Sequence, residues 1–359
     1  MEIGIAWVLL GALFLGTFAL PSKYIKNYAW ENTWFTFFLF GMLIVPVGFS
    51  ILVVNDLWAT YDHADVTSQM IFWVVALGFL WGCGFCCWGT GLSMVGLSLG
   101  YSLTMGTMAL VGSMVPLFLG SADKATTSGG MTVIAGILVC IVGVALNGLA
   151  GTKREKSEAA AAAESAPKTN MALGLFVCVI AGVLSSGLNI AFHVGGPIAG
   201  VSQNEFQNPA WLAGLSIWTL IFLGGMISSV AFTFFLLCKN KTWNQFGNVG
   251  SGRNIFFAIV MAVGHFACIF FYGLGGFELG ELGTSVGFAI FQSGSLIIGN
   301  GLGLFTGEWA RGSAESRRWL FIGLSVLILG IVIVSIGNAS LTADSPAPDA
   351  VIPAAEAGL

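Results

Sequence analysis

The stretch Trp81–Gly106, WGCGFCCWGTGLSMVGLSLGYSLTMG, decides how this chain folds, because it is apolar enough for lipid yet carries seven glycines and three large amphipathic rings. Glycine has no Cβ and lets helix backbones touch, whereas a helix facing lipid gains nothing from it. The stretch therefore reads as a pair of packed helices beside a solvent-lined space. Trp81, Trp88 and Tyr101 offer flat faces with polar edges, a surface on which a sugar ring can stack. The pattern Trp88-Gly-Thr-Gly-x4-Gly96 recurs as Tyr272-Gly-Leu-Gly-x4-Gly280, and Gly136 and Gly143 share their seven-residue spacing with Gly323 and Gly330. Two echoes at nearly one offset predict two halves built on one plan.

The composition agrees with lipid as the solvent. Of 359 residues 56% are hydrophobic and only 8% charged, against about 25% charged in an ordinary globular protein. A formal net charge of −4 leaves no basic patch, which excludes nucleic acid as a partner. All seven cysteines fall inside apolar segments, where a thiol behaves as a small hydrophobe. Cys83-x-x-Cys86 has no second pair or nearby histidine to complete a four-ligand zinc site, so neither metal nor cofactor is expected. The first apolar run lacks a positive n-region and is followed by Lys23, which marks a retained span rather than a cleaved leader.

A membrane span needs about 20 apolar residues. On that ruler the chain holds ten: 3–20, 34–54, 71–92, 98–119, 131–150, 171–193, 211–238, 254–274, 283–304 and 319–337. Twelve of the thirteen lysines and arginines fall in the loops after spans of odd number, and only Lys124 lies elsewhere. Cytoplasmic loops hold such an excess, so both termini are expected outside. The fold class that follows is all-α integral membrane, ten transmembrane helices arranged as two inverted five-helix repeats. Halves of odd span number enter the membrane from opposite sides. The expected boundaries are 1–151 for the first repeat, 152–170 for a charged, Ala-rich cytoplasmic linker, 171–340 for the second repeat and 341–359 for a disordered external tail.

Three histidines provide no nucleophile, base and orienter that would sit together, and no phosphate-binding loop is present, so the chain is read as neither an enzyme nor an ATP-driven pump. Inverted repeats with Gly- and Pro-interrupted spans favour a secondary transporter whose site lies near the midplane. At 1.5 Å per residue, His265 lies about 16 Å into the eighth span, and Gln292 and Trp81 come out at similar depth. Asn189 lies toward the outer end of the sixth span, before Gly195-Gly196-Pro197 breaks it, and Tyr272 near the outer end of the eighth. Trp81, Trp88, Tyr101, Asn189, Tyr272 and Gln292 together supply the stacking faces, donors and acceptors that a neutral polyol needs. An intramembrane Gln or Asn also serves as helix glue, and Trp81 also serves plain packing. His265, whose unperturbed pKa is about 6.5, and Glu31 at the inner end of span 2 are the candidates for proton coupling. Lys23, Glu31 and Glu308 are the candidates for an inner gate that breaks as the site opens, against the alternative of positive-inside anchoring by snorkelling lysines.

Pro21-x-Lys23 leading to Trp30-Glu31-x-x-Trp34, then Trp81-Gly82-x-Gly84 with Gly89, then Phe270-Phe271-Tyr272 and last Glu308-Trp309 give the chain its likeness. It resembles the L-rhamnose–proton symporter family of the drug/metabolite transporter superfamily over residues 3–337. The resemblance implies ten helices in two inverted five-helix repeats and uptake of a 6-deoxyhexose with protons across the cytoplasmic membrane. The chain departs from the family's pattern at Cys86-Cys87-Trp88, where more polar, Tyr-containing sequence is expected. Two rival readings stand beside import: an exporter of amphipathic metabolites, and a membrane sugar receptor without flux. The latter lacks any sizeable loop to read out a signal.

Overall fold

A computed structural model describes residues 2–95, 97–120, 122–162, 171–280, 283–305 and 307–344. Among these residues ten helices are long and apolar enough to cross a membrane: α1 (Glu2–Tyr24), α2 (Trp30–Val53), α3 (Ser68–Leu92), α4 (Gly100–Leu119), α5 (Ser128–Glu158), α6 (Ala172–Asn204), α7 (Ala210–Asn240), α8 (Ser251–Glu278), α9 (Gly283–Phe305) and α10 (Ala314–Leu341). The protein is thus an all-α, multi-pass membrane protein, as its apolar runs require. Leu52, Phe72 and Phe305 are among the large apolar side chains that point outward, where lipid rather than water is the solvent.

Three boundaries differ from the sequence reading: the last helix runs past residue 340 to Asp344, with Leu341 buried, and two others shift for a local reason. The helix of the fifth span runs on through the start of the linker to Ala162, because Lys153–Ala162 contains strong helix formers and no breaker; residues 163–170 and the tail from 345 lie outside the described residues. The sixth span does not end before Gly195. It is built as Met171–Ser185, Gly187–Val194 and Gly196–Asn204, and the last piece starts with Pro197 in its first turn, where a missing N–H costs nothing.

The glycines do what close packing demands at two seams. Where α3 crosses α7, an ideal Cβ on Gly78 would lie 2.3 Å from the Ile221 carbonyl oxygen and one on Gly224 2.1 Å from that of Val75, so only hydrogen fits at either position. Along α5 and α10, Gly136 meets Val334, Gly143 meets Leu327, Gly330 meets Cys140 and Gly323 meets Asn147, in one antiparallel register spaced alternately by three and four residues. These echoed glycines therefore lie along a single seam, each against a larger residue of the other helix. Elsewhere α1 packs on α8 and α9, α6 on α3 and α4, α7 on α3, α2 on α8, α4 on α5, and α9 on α10. Phe37, Phe222, Tyr272, Phe288 and Phe291 fill the middle with buried rings.

Candidate functional site

Two cavities run into the bundle from the end that carries Lys23. A vestibule of about 480 Å³ is lined at its mouth by Ser22, Lys23, Arg154 and Trp309 and further in by Trp34, Ser102, Asn147, Ser295 and Asn300. Beyond it lies a deep cavity of about 90 Å³, lined by Trp81, Phe85, Met105, Met108, Ser185, His265, Ile269, Phe291 and Gln292 among others. Leu15, Phe18, Trp88 and Tyr101 line both, so these four side chains stand at the junction.

The deep cavity collects five of the sequence candidates. Trp88 and Tyr101 meet at 5.9 Å with 61° between their planes, edge on, which leaves a face of the pair toward the space they share. Trp81 is 3% exposed and lies parallel to the His265 ring at 6.0 Å and 6°. It fits there because Gly225 has no side chain: a Cβ would come within 2.7 Å of the indole. Trp81 therefore uses a face to hold His265, and Phe18, Phe37 and Phe222 close around the imidazole edge on. Gln292 is buried, and its Nε2 reaches only the Met105 sulfur at 3.9 Å.

Three polar atoms on these side chains have no hydrogen-bond partner among the described residues: Trp88 Nε1, His265 Nδ1 and Gln292 Oε1. A buried polar atom left unpaired costs about 1–3 kcal/mol, so each has reason to meet a ligand hydroxyl or water. The set is complementary: the indole N–H only donates, the amide oxygen only accepts, and the imidazole nitrogen does either according to tautomer. The residues lining the deep cavity include no carboxylate, lysine or arginine. This is chemistry for an uncharged molecule with several hydroxyls and an apolar face.

Asn189 and Tyr272 are placed elsewhere. They are not among the lining residues of either cavity but are bonded to each other on the far side, the Tyr272 hydroxyl donating to Asn189 Oδ1. Glu31 is buried at the start of α2, where its carboxylate accepts from Asn240 Nδ2 and Thr242 Oγ1, both at 2.9 Å. It thereby ties α2 to the end of α7, and it does not line the vestibule, whereas Lys23 does. The Glu308 side chain lies outside the described residues.

Sequence reasoning passed over Asn147 and Asn300, whose amides meet at 3.4 Å between α5 and α9, and Arg154, whose guanidinium lies 4.7 Å over the Trp309 ring. Both asparagines sit in apolar spans, which was a usable signal. Arg154 was hidden in what reads as a linker.

A model of the L-rhamnose-proton symport protein family matches residues 1–340. The chain belongs to this family. Among its relatives are L-rhamnose-proton symporters of Pectobacterium atrosepticum, 28% identical over 344 residues, which are 94% of this chain and 98% of that one, and of Citrobacter koseri, 27% identical over 347 residues, 95% and 99%. One from Yersinia pestis is 27% identical over 345 residues, 94% of this chain and 98% of the relative. The family is one of membrane transporters, not enzymes, and these relatives are bacterial.

Proposed function

We propose that this protein imports L-rhamnose, or a closely related deoxyhexose, together with protons across the bacterial inner membrane. The observation that carries the reading is the trio of unpartnered polar atoms on Trp88, His265 and Gln292 around a cavity lined by no carboxylate, lysine or arginine. A 6-deoxyhexose offers hydroxyls to such a trio and a methyl group to Met105, Met108 and Ile269. Membership of the family, and the names its relatives carry, point to the same sugar and to proton coupling. We assign sugar contact to Trp88, Tyr101 and Gln292, support of the site to Trp81, and the proton to His265. Uptake of a labelled panel into proteoliposomes under an imposed pH gradient, inside alkaline, tests it: L-rhamnose should accumulate and D-glucose should not. Equal uptake of every hexose in the panel, or none of any, would reject the reading.

The orientation proposed is both termini outside, supported by the twelve of thirteen lysines and arginines in loops of one parity. In that frame the vestibule opens to the cytoplasm and the fold is caught facing inward. Two inverted repeats, 1–151 and 171–340 joined by 152–170, are supported by the helix neighbours: moving every helix five places along the chain turns α1 on α8 into α6 on α3, α1 on α9 into α6 on α4, and α4 on α5 into α9 on α10. A cysteine at Val249, 99% exposed in the α7–α8 loop, should stay unlabelled by impermeant reagent in intact cells, and one at Ala64 in the α2–α3 loop should label. The opposite pattern would invert the topology.

Gln292→Leu keeps the side-chain volume and removes the only buried amide oxygen free to accept a sugar hydroxyl in the deep cavity. L-rhamnose affinity, measured by calorimetry on the folded variant, is expected to fall about five- to tenfold. Unchanged affinity would return Gln292 to a packing role.

A further inference from the structure

Opposite the vestibule, where the deep cavity ends, one side chain joins four helices. Asn189 in α6 is fully buried, and its carboxamide donates from Nδ2 to the Gly112 carbonyl of α4 at 2.7 Å and to the Thr284 carbonyl of α9 at 2.6 Å. Its oxygen accepts from the Tyr272 hydroxyl of α8. A carboxamide has two N–H donors and one oxygen, and here each of them is directed at a different helix.

One of the partners is a group that its own helix leaves free. The Gly112 carbonyl would normally accept from the amide of residue 116, but Pro116 has no N–H, so Asn189 takes up an acceptor that the proline orphans. Thr284 lies in the wide first turn of α9, Gly283–Gly287, where the hydrogen-bond ladder is shifted by one residue. Asn189 itself follows the break in α6 at Ser186, and Gly195 interrupts the helix again after His193, whose Nδ1 lies 3.0 Å from Thr284 Oγ1. Ordinary interhelical glue joins two intact helices. This cluster joins three segments, in α4, α6 and α9, at positions where their backbones are irregular and able to re-form, to the unbroken helix α8 through the Tyr272 side chain, which is the place for a moving joint.

We propose that Asn189 is the latch of the gate at this end of the pathway: its three hydrogen bonds hold α4, α6, α8 and α9 shut while the vestibule is open, and all three must break for the cavity to open on the opposite side. Calling that side the cell exterior rests on the orientation proposed above; the latch itself does not. Tyr272 also seals by its ring, stacked on Phe291 at 4.7 Å, so the hydroxyl can be removed without unpacking the core. The tyrosine echoing Trp88 in the other half thus closes one end of the pathway while Trp88 stands at the junction toward the other.

The test uses the full-length protein in sealed vesicles of known sidedness, with a cysteine at Met108, which lines the deep cavity one turn from Gly112, as reporter. Cysteines at Ala64 and Val249 mark the two faces, and the wild type sets the background from native thiols. A small impermeant methanethiosulfonate is applied from each side. Tyr272→Phe, which loses one bond, should speed labelling from the Ala64 side about fivefold, and Asn189→Leu, which loses all three, about thirtyfold or more, with slower labelling from the Val249 side. Wild-type rates in a folded Tyr272→Phe protein and in Asn189→Leu, or faster labelling from both faces alike, would overturn the latch. Because Tyr272→Phe preserves the ring, a failure of Asn189→Leu to fold leaves the outcome decided by the tyrosine variant. If Val249 labels from outside intact cells, the orientation fails while the latch is still judged against the Ala64 marker.

Discussion

His265→Gln is expected to abolish pH-driven accumulation of sugar and to leave exchange of labelled for unlabelled sugar intact. With one proton per sugar, each unit of pH difference supports about tenfold accumulation, since 1.4 kcal/mol is a factor of ten. The assignment rests on scarcity. Of the side chains lining the deep cavity only His265 and Tyr101 can ionise at all, and a phenol with an ordinary pKa of about 10 lies outside the range that a transmembrane pH difference exploits. The imidazole is held in place on every side, by the Trp81 face and by the rings of Phe18, Phe37 and Phe222, with Nδ1 left for the ligand. Glutamine keeps a donor and an acceptor and cannot carry the proton. A ratio of inside to outside sugar near one, whatever the gradient, is the expected result; tenfold accumulation retained per pH unit would remove His265 from the coupling step.

The largest effect on stability is expected from the α3–α7 crossing. Gly224→Leu places its Cβ 2.1 Å from the Val75 carbonyl oxygen, and the reciprocal position, Gly78, is 2.3 Å from that of Ile221. Both obstacles are backbone, so no side chain can turn aside and the helices must separate. Overpacking a well-filled site costs about 1–3 kcal/mol and sometimes more, and four added carbons at a backbone contact belong at or beyond the top of that range. Trp81, seated against the next glycine of α7, would lose its support together with the His265 ring it holds. Gly48→Leu is the control, since a Cβ on Gly48 meets nothing within 4 Å. Size-exclusion profiles and thermal unfolding in detergent should show no folded Gly224→Leu protein and a Gly48→Leu protein like the wild type. A Gly224→Leu protein that melts with the wild type would show that this crossing is looser than its backbone distances imply.

Much of the fold was legible because lipid imposes length: an apolar run of about 20 residues has few uses besides spanning. The glycine echoes were legible for a related reason, as close backbone contact is what holds helices together where lipid is as apolar as leucine. Counting residues along the spans gave Trp81, His265 and Gln292 a similar depth, and these three side chains line one cavity. What depth omits is azimuth. In a soluble helix the polar face tells which side looks inward, but here both faces are apolar, so the sequence did not show that Asn189 and Tyr272 turn toward each other or that Trp81 gives a face to His265. The partners of two charged residues were hidden for a different reason, since a charge near a span end does not show what it meets: Arg154, read as part of the linker, stacks over Trp309, and Glu31, read as a coupling and gate candidate, is buried against Asn240 and Thr242.

Coupled import is tested most directly by the proton that travels with the sugar. Proteoliposomes holding the wild-type protein, with equal pH on both sides and no membrane potential, are given L-rhamnose from outside while external pH is recorded in weak buffer. Proton symport requires that the sugar gradient draw protons inward, so the medium should become alkaline on addition of L-rhamnose, not on addition of D-glucose, and not in vesicles carrying His265→Gln. Entry of labelled L-rhamnose with no change in external pH would contradict proton-coupled import by this protein.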